Sequence, residues 1–329
     1  MLISRNIPFA LAAGLVLATG ITASARDLSP AQSRQHAISA VKSWGYQLQK
    51  MDLDALTVSP FDLLVIDHAP DRVESVELLL RRSEVSVLKE KPDGSRRLVL
   101  AYVSIGEAER YRFYWDDAWL EPASRPDWLG AVNPQWVGNY PVEFWQPSWQ
   151  TLIYGQSDSY IDRVLDAGFD GIYLDRADVY QQFATRPNAE AEMASFLPNL
   201  IDHARRVKPD AIVVLQNAEE LLRRKDIRGR IDAIAKESLY LNPEAATPAP
   251  ASDTEASLAD LRLARKAGRK ILVVEYTADP IAARSARRQA EADSFLIHFT
   301  HRTLSELNVR GPDQQVTAGA PLPATLPVH

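Results

Sequence analysis

The sequence contains no cysteine, which excludes disulfides, thiol nucleophiles and cysteine-ligated zinc outright. A basic surplus is also missing. Forty-three acidic side chains against 37 Lys and Arg leave a formal charge of −6, the wrong sign for a nucleic-acid surface. No glycine-rich fingerprint follows any expected strand, which removes the main argument for a nucleotide-binding open sheet. No serine stands in a nucleophile-elbow context. The histidines form no metal pattern: His298 and His301 frame Phe299-Thr300 without the helical spacing of a zincin, and His68 is flanked by Asp67 alone. No metal and no cofactor is therefore expected. Beyond the N-terminus no run is long and apolar enough to span a bilayer, so the mature chain is expected to have no stable membrane insertion.

The N-terminus itself reads as a secretory signal peptide. Arg5 precedes an apolar run from Ile7 to about Thr19, and Ala23-Ser24-Ala25 supplies a small-residue cleavage pattern. Residues 1–25 are expected to be removed, leaving a periplasmic or secreted protein. The domain then occupies 26–308, and 309–329, rich in Pro, Gly and Ala, reads as a disordered tail.

Apolar runs at 43–48, 61–66, 98–103, 172–175, 211–215, 231–235, 271–274 and 295–299 read as strands. Helical patterns are expected at 30–40, 72–82, 157–167, 189–207, 218–225, 258–267 and 284–292. The strands are too uniformly apolar for a one-sided sheet and resemble parallel strands buried on both faces. Eight alternations in roughly 280 residues favour a closed (β/α)8 TIM barrel. After the third strand the period is lost from 108 to 156. That insertion holds Trp115, Trp119, Trp128, Trp136, Trp145 and Trp149, six of the seven tryptophans. Its indoles are expected either to pack the loop or to offer flat apolar faces to pyranose rings.

Polar residues recur where the apolar runs stop: Asp67, Glu107, Asp175, Gln216, Asn217, Glu237 and Glu275. On a barrel these points share the rim where chemistry is placed, although a polar residue at any one strand end also suits a helix cap or the beginning of solvent. Asp175 ends the fourth strand and Glu237 the sixth. Alternate strands contribute to one layer, so this pair is placed to straddle a single bond. Glycosidic cleavage requires such an arrangement, because one carboxyl must donate a proton to the leaving oxygen while the other stays ionised.

Three runs carry a resemblance: Ala101-Tyr102-Val103-Ser104-Ile105-Gly106-Glu107-Ala108-Glu109, Phe144-Trp145-Gln146-Pro147-Ser148-Trp149, and Gly168-Phe169-Asp170-Gly171-Ile172-Tyr173-Leu174-Asp175. Together they resemble the endo-α-1,4-polygalactosaminidase family, glycoside hydrolase family 114, and related TIM-barrel glycoside hydrolases, over roughly Trp44 to Leu304. The resemblance implies a glycosidase acting on an α-1,4-linked, galactosamine-containing exopolysaccharide. It places the nucleophile at Asp175 and the general acid/base at Glu237, within Lys236-Glu237-Ser238-Leu239-Tyr240. Asp67, Ser104, Glu107, Tyr173, Asp178, Asn217, Glu275 and Tyr276 are expected to bind the sugar. An acidic rim would draw in a cationic aminosugar polymer. Two other readings stay open: a carbohydrate-binding barrel that has lost catalysis, and a metal-dependent hydrolase on the same scaffold.

Overall fold

The eight apolar runs do become eight short parallel strands. The structure, a computed structural model, describes residues 28–314 apart from 70, 74 and 75. The strands are β1 Trp44–Gln47, β2 Leu63–Ile66, β3 Leu98–Ser104, β4 Gly171–Asp175, β5 Ile212–Gln216, β6 Ala233–Glu237, β7 Lys270–Tyr276 and β8 Leu296–Thr300. They pair in sequence order, β1 to β8, all parallel. The seam between β8 and β1 is bridged by Trp44, whose Nε1 donates to the Leu296 carbonyl at 3.1 Å and whose ring meets His298 at 5.7 Å. The result is a nearly closed (β/α)8 barrel.

Side chains alternate across each strand, and both faces are apolar. The outer set (Leu64, Val99, Val103, Ile172, Leu174, Val213, Val273) packs against the surrounding helices, which include α6 Ala189–Val207, α8 Ala251–Lys266 and α9 Pro280–Asp293. The inner set (Trp44, Leu63, Val65, Leu100, Val214, Leu272) fills the barrel. Burial on both faces explains why no strand shows a simple apolar–polar alternation.

Register decides which residues share a height. A shear of about eight over eight strands lifts the register by about one residue per strand, so equal heights on alternate strands differ by about two positions. Ser104 pairs with Asp175, Gln216 with Ala235, and Glu237 with Val274, which in turn pairs with His298. Stepping two positions on places Asp67, Asp175, Glu237 and Thr300 in the uppermost layer. Tyr46, Tyr102, Gln216 and Val274 form the layer beneath. The top of the barrel is therefore polar, and its floor is aromatic and aliphatic.

Several expected elements differ. The segment read as a helix over 72–82 opens as an antiparallel hairpin, Asp71–Val73 with Val76–Leu78, followed by a helix Arg82–Leu88. The helix expected at 218–225 is a 3-10 turn, Glu219–Arg223, followed by a helix Lys225–Arg230. The insertion carries a small hairpin, Glu107–Glu109 with Asn139–Pro141, and a helix Pro147–Ile153. Of the expected disordered tail, Pro312–Gln314 forms a 3-10 turn tied to α9 through Arg287 and Asp313 at 2.6 Å. Residues 315–329 and the expected signal peptide lie outside the described residues. Among the described residues no helix is long and apolar enough to cross a membrane.

Candidate active site

The strand carboxyl ends open into a cleft of about 1350 Å³. Asp175, Glu237, Asp178, Asn217, Tyr276 and Tyr102 all line it. The two residues expected to act as a pair thus occupy one cleft and one layer, on strands separated only by β5.

Each carboxylate is held by a tyrosine. Tyr102, from the layer beneath, donates its hydroxyl to Asp175 Oδ2 at 2.7 Å. Tyr276, at the end of β7, donates to Glu237 Oε1. Asn217 holds Glu237 in two places: its Nδ2 donates to Glu237 Oε2 at 3.0 Å, and its Oδ1 accepts the Glu237 backbone N–H at 3.2 Å. To do so Asn217 takes a left-handed conformation, φ 55°. Arg176 after Asp175 (φ 61°) and Ser238 after Glu237 (φ 51°) do the same. Non-glycine residues in this region are strained, at a cost of about 1–3 kcal/mol each, and such residues concentrate where function fixes the backbone.

The electrostatics follow from that crowding. Burial, the facing charge of Glu237 and that of Asp178 push the Asp175 carboxyl up to about 8, against the pull of the Tyr102 hydroxyl and of Arg176. Carboxyls that repel across a cleft lose their protons in separate steps, so the step near 8 belongs to the site as a whole and not to Asp175 in isolation. Burial also pushes Asp178 up, partly offset by Arg176, whose Nη1 is 3.6 Å away.

The remaining expected sugar ligands divide. Asp67 lines the cleft, but both its oxygens are engaged by the Arg112 guanidinium at 2.8 and 3.0 Å. Burial pushes Asp67 up, yet Arg112 and His68 hold it well below the usual carboxylate range. Glu107 also lines the cleft, bound to Arg176 at 3.0 Å and accepting from Asn133 at 2.8 Å. Three others do not reach the cleft. Ser104 is buried and its hydroxyl is spent on the turn, donating to the Glu107 carbonyl at 3.0 Å. Tyr173 lies a layer below Asp175, packed on Tyr46 at 5.3 Å. Glu275 points to the outer face of β7, because alternation gives the inner position to Tyr276. A strand-end carboxylate in the sequence does not reveal which face it takes.

The tryptophans divide between the two expected roles. Trp115, Trp119, Trp128 and Trp149 form a chain of ring contacts at 5.3, 5.1 and 5.0 Å that packs the insertion onto the barrel. Trp136 is the one tryptophan of the described residues that lines the cleft. Tyr102 lies within the first of the three runs and Arg176 directly follows the third, but neither has a role there without coordinates. Arg112, deep in the insertion, has no sequence signal at all. His298 lies inside the barrel and His301 on the surface, so the two do not converge.

Comparison with known proteins agrees with the fold. The model of glycoside-hydrolase family GH114 matches residues 24–316. An uncharacterised protein of Deinococcus radiodurans is 34% identical over 283 residues, covering 85% of this chain and 87% of its own. An uncharacterised protein of Thermotoga maritima is 34% identical over 244 residues, covering 72% and 71%. Among solved structures, the glycoside hydrolase domain of PelA from Pseudomonas aeruginosa superposes with a TM-score of 0.62 at 20% identity, covering 81% of this chain and 97% of that one. Aspergillus fumigatus Ega3, in complex with galactosamine, gives 0.56 at 16% identity, covering 80% and 92%. At such identities the two structures speak for the fold.

Proposed function

The chain belongs to glycoside hydrolase family GH114, and from that premise we propose that it cleaves an α-1,4-linked, galactosamine-containing exopolysaccharide with Asp175 and Glu237. The observation that carries the reading is the shared layer: two carboxyls from alternate strands, each fixed by a tyrosine, facing one cleft.

Glu237 donates its proton to the leaving glycosidic oxygen while ionised Asp175 attacks the anomeric carbon. The bond to the departing sugar breaks and a glycosyl ester forms on Asp175. Glu237, now a carboxylate, takes a proton from water, which opens the ester and restores both groups. This cycle needs one proton and one charge between the two carboxyls. An ammonium group arriving beside Asp175 and Asp178 lowers Asp175 and favours its ionised, attacking form. A cationic aminosugar therefore prepares the pair for attack. The galactosamine bound by Ega3 and the carboxylates lining the cleft support that substrate class, and the N-terminal apolar run supports export to reach it.

The test is to incubate purified protein with α-1,4-galactosamine polymers of graded acetylation, counting reducing ends and following product anomers by NMR. Release of α-anomers first supports the double displacement. Binding without any release of reducing ends would turn the assignment toward a non-catalytic carbohydrate-binding barrel.

A further inference from the structure

Glu275 is a fully buried carboxyl that the proposed chemistry does not use. On the outer face of β7, its Oε1 accepts the Tyr240 backbone N–H at 2.8 Å, with the neighbouring amides of Leu239 and Leu241 acting on the same carboxyl. A buried carboxyl that accepts from the backbone of one loop in this way ties that loop to β7. Those amides belong to the loop that leaves β6 directly after Glu237 and Ser238.

The rest of that loop is tied as well. Ser238 N donates to the Val274 carbonyl and Ala249 N to the Tyr240 carbonyl, both at 2.9 Å. Thr254 Oγ1 donates to the Leu239 carbonyl at 2.9 Å. The residue next to Glu275, Tyr276, points to the inner face and bonds Glu237 itself. Consecutive residues of one strand therefore grip the acid/base and its loop from opposite sides of the barrel wall.

We infer that Glu275 is a positioning residue for Glu237, fixing the left-handed exit at Ser238 and so the direction in which the Glu237 carboxyl faces Asp175. This rests on Glu237 being the acid/base. Without the carboxyl, the buried Tyr240 amide loses its acceptor, and a buried donor left unpaired is unfavourable. The loop then has to move to find partners. Such a movement reaches Glu237 first, because only Ser238 separates it from the anchored segment.

The test compares Glu275→Ala and Glu275→Gln with the wild type in the full chain. Three quantities are followed: kcat and KM, hydrogen exchange at the amides of 239–241, and the titration of the Glu237 carboxyl by NMR. In Glu275→Ala, kcat should fall about 100-fold, the scale of a misplacement near 1 Å, with KM little changed. Exchange at the three amides should quicken and the Glu237 titration should move. Glu275→Gln, which keeps an acceptor, should recover most of kcat. A lowered melting temperature with unchanged kcat, exchange and titration would overturn the assignment. Should the alanine variant not fold, Glu275→Asp, which withdraws the carboxylate by one methylene, is read by the same criteria. A protein that cleaves none of the polymers would sink the functional reading alone, since exchange and titration still decide on Glu275.

Discussion

The backbone N–H of Ile105 donates to the Asp175 carbonyl at 3.0 Å, so β3 and β4 leave the barrel bonded to each other. The carbonyl of the same Ile105 accepts from Trp149 Nε1 at 2.9 Å. Three runs that are far apart in the sequence meet at this one residue. The first supplies Ile105, the second Trp149, and the third Asp175. Their meeting has a mechanical consequence: together they fix the point from which Asp175 enters the cleft.

Gly106 shows how tight that junction is. A Cβ at this position would stand 2.1 Å from the Arg176 carbonyl oxygen. Gly106→Ala should lower the unfolding free energy by about 1–3 kcal/mol, as overpacking usually does, and should cost activity beyond the loss of folded protein. Urea titration with activity per folded molecule checks it, and an unchanged value for both would show the junction to be slack.

Asp175→Asn should abolish turnover while leaving the circular dichroism unchanged. It should also alter the pH dependence of stability. Asp175 and Glu275 are both raised to about 8 in the fold, above the ~4 of an unfolded carboxyl. The native state therefore binds more protons than the unfolded state between those values, so these groups make stability fall as pH rises through that window. Removing one of them flattens the fall. Urea midpoints at pH 5 and pH 9 should show the Asn variant gaining on the wild type only at the higher pH.

Glu237→Gln should lower kcat on polymer by about 10²–10⁴-fold, the usual contribution of a general acid. An aryl glycoside whose leaving group needs no proton should recover the first step. The wild-type profile should have an alkaline limb near 8, where the site loses a proton. Equal losses on polymer and aryl glycoside would contradict a proton-donating role.

Tyr102→Phe removes the hydroxyl that steadies ionised Asp175. A hydrogen bond to a charged group contributes about 1.5–3 kcal/mol, so kcat should drop roughly 10- to 100-fold. Without that donor the site holds its proton more tightly, and the alkaline limb should move to higher pH. A limb that moves down would mean that the hydroxyl acts on another group.

Trp136→Ala should raise KM for long polymers and leave turnover of a short aryl glycoside unchanged, because Trp136 lies in the cleft lining while its fellow tryptophans pack the insertion. Equal effects on both substrates would assign it to folding instead.

The barrel was legible because eight apolar runs alternating with helical patterns leave few other ways to bury both faces of a parallel sheet. Asp175 and Glu237 were legible as a pair because strand order alone places them on alternate strands of one rim. The weaker predictions concerned facing and partners. Ser104, Tyr173 and Glu275 sit where the sequence expects sugar ligands, yet alternation and turn geometry direct them away from the cleft. Asp67 reaches the cleft already claimed by Arg112, a residue from an irregular insertion with no period to place it.

Local pattern, then, determined which residues form strands and which carboxylates end them, since both depend on short-range spacing and on water beginning where apolar runs stop. Only the tertiary structure decided which acids are paid off by a cation and which repel each other across open space. Ion pairs and carboxyl repulsion depend on distances between segments that are well separated along the chain, as Asp67 and Arg112 are, and that only folding brings together.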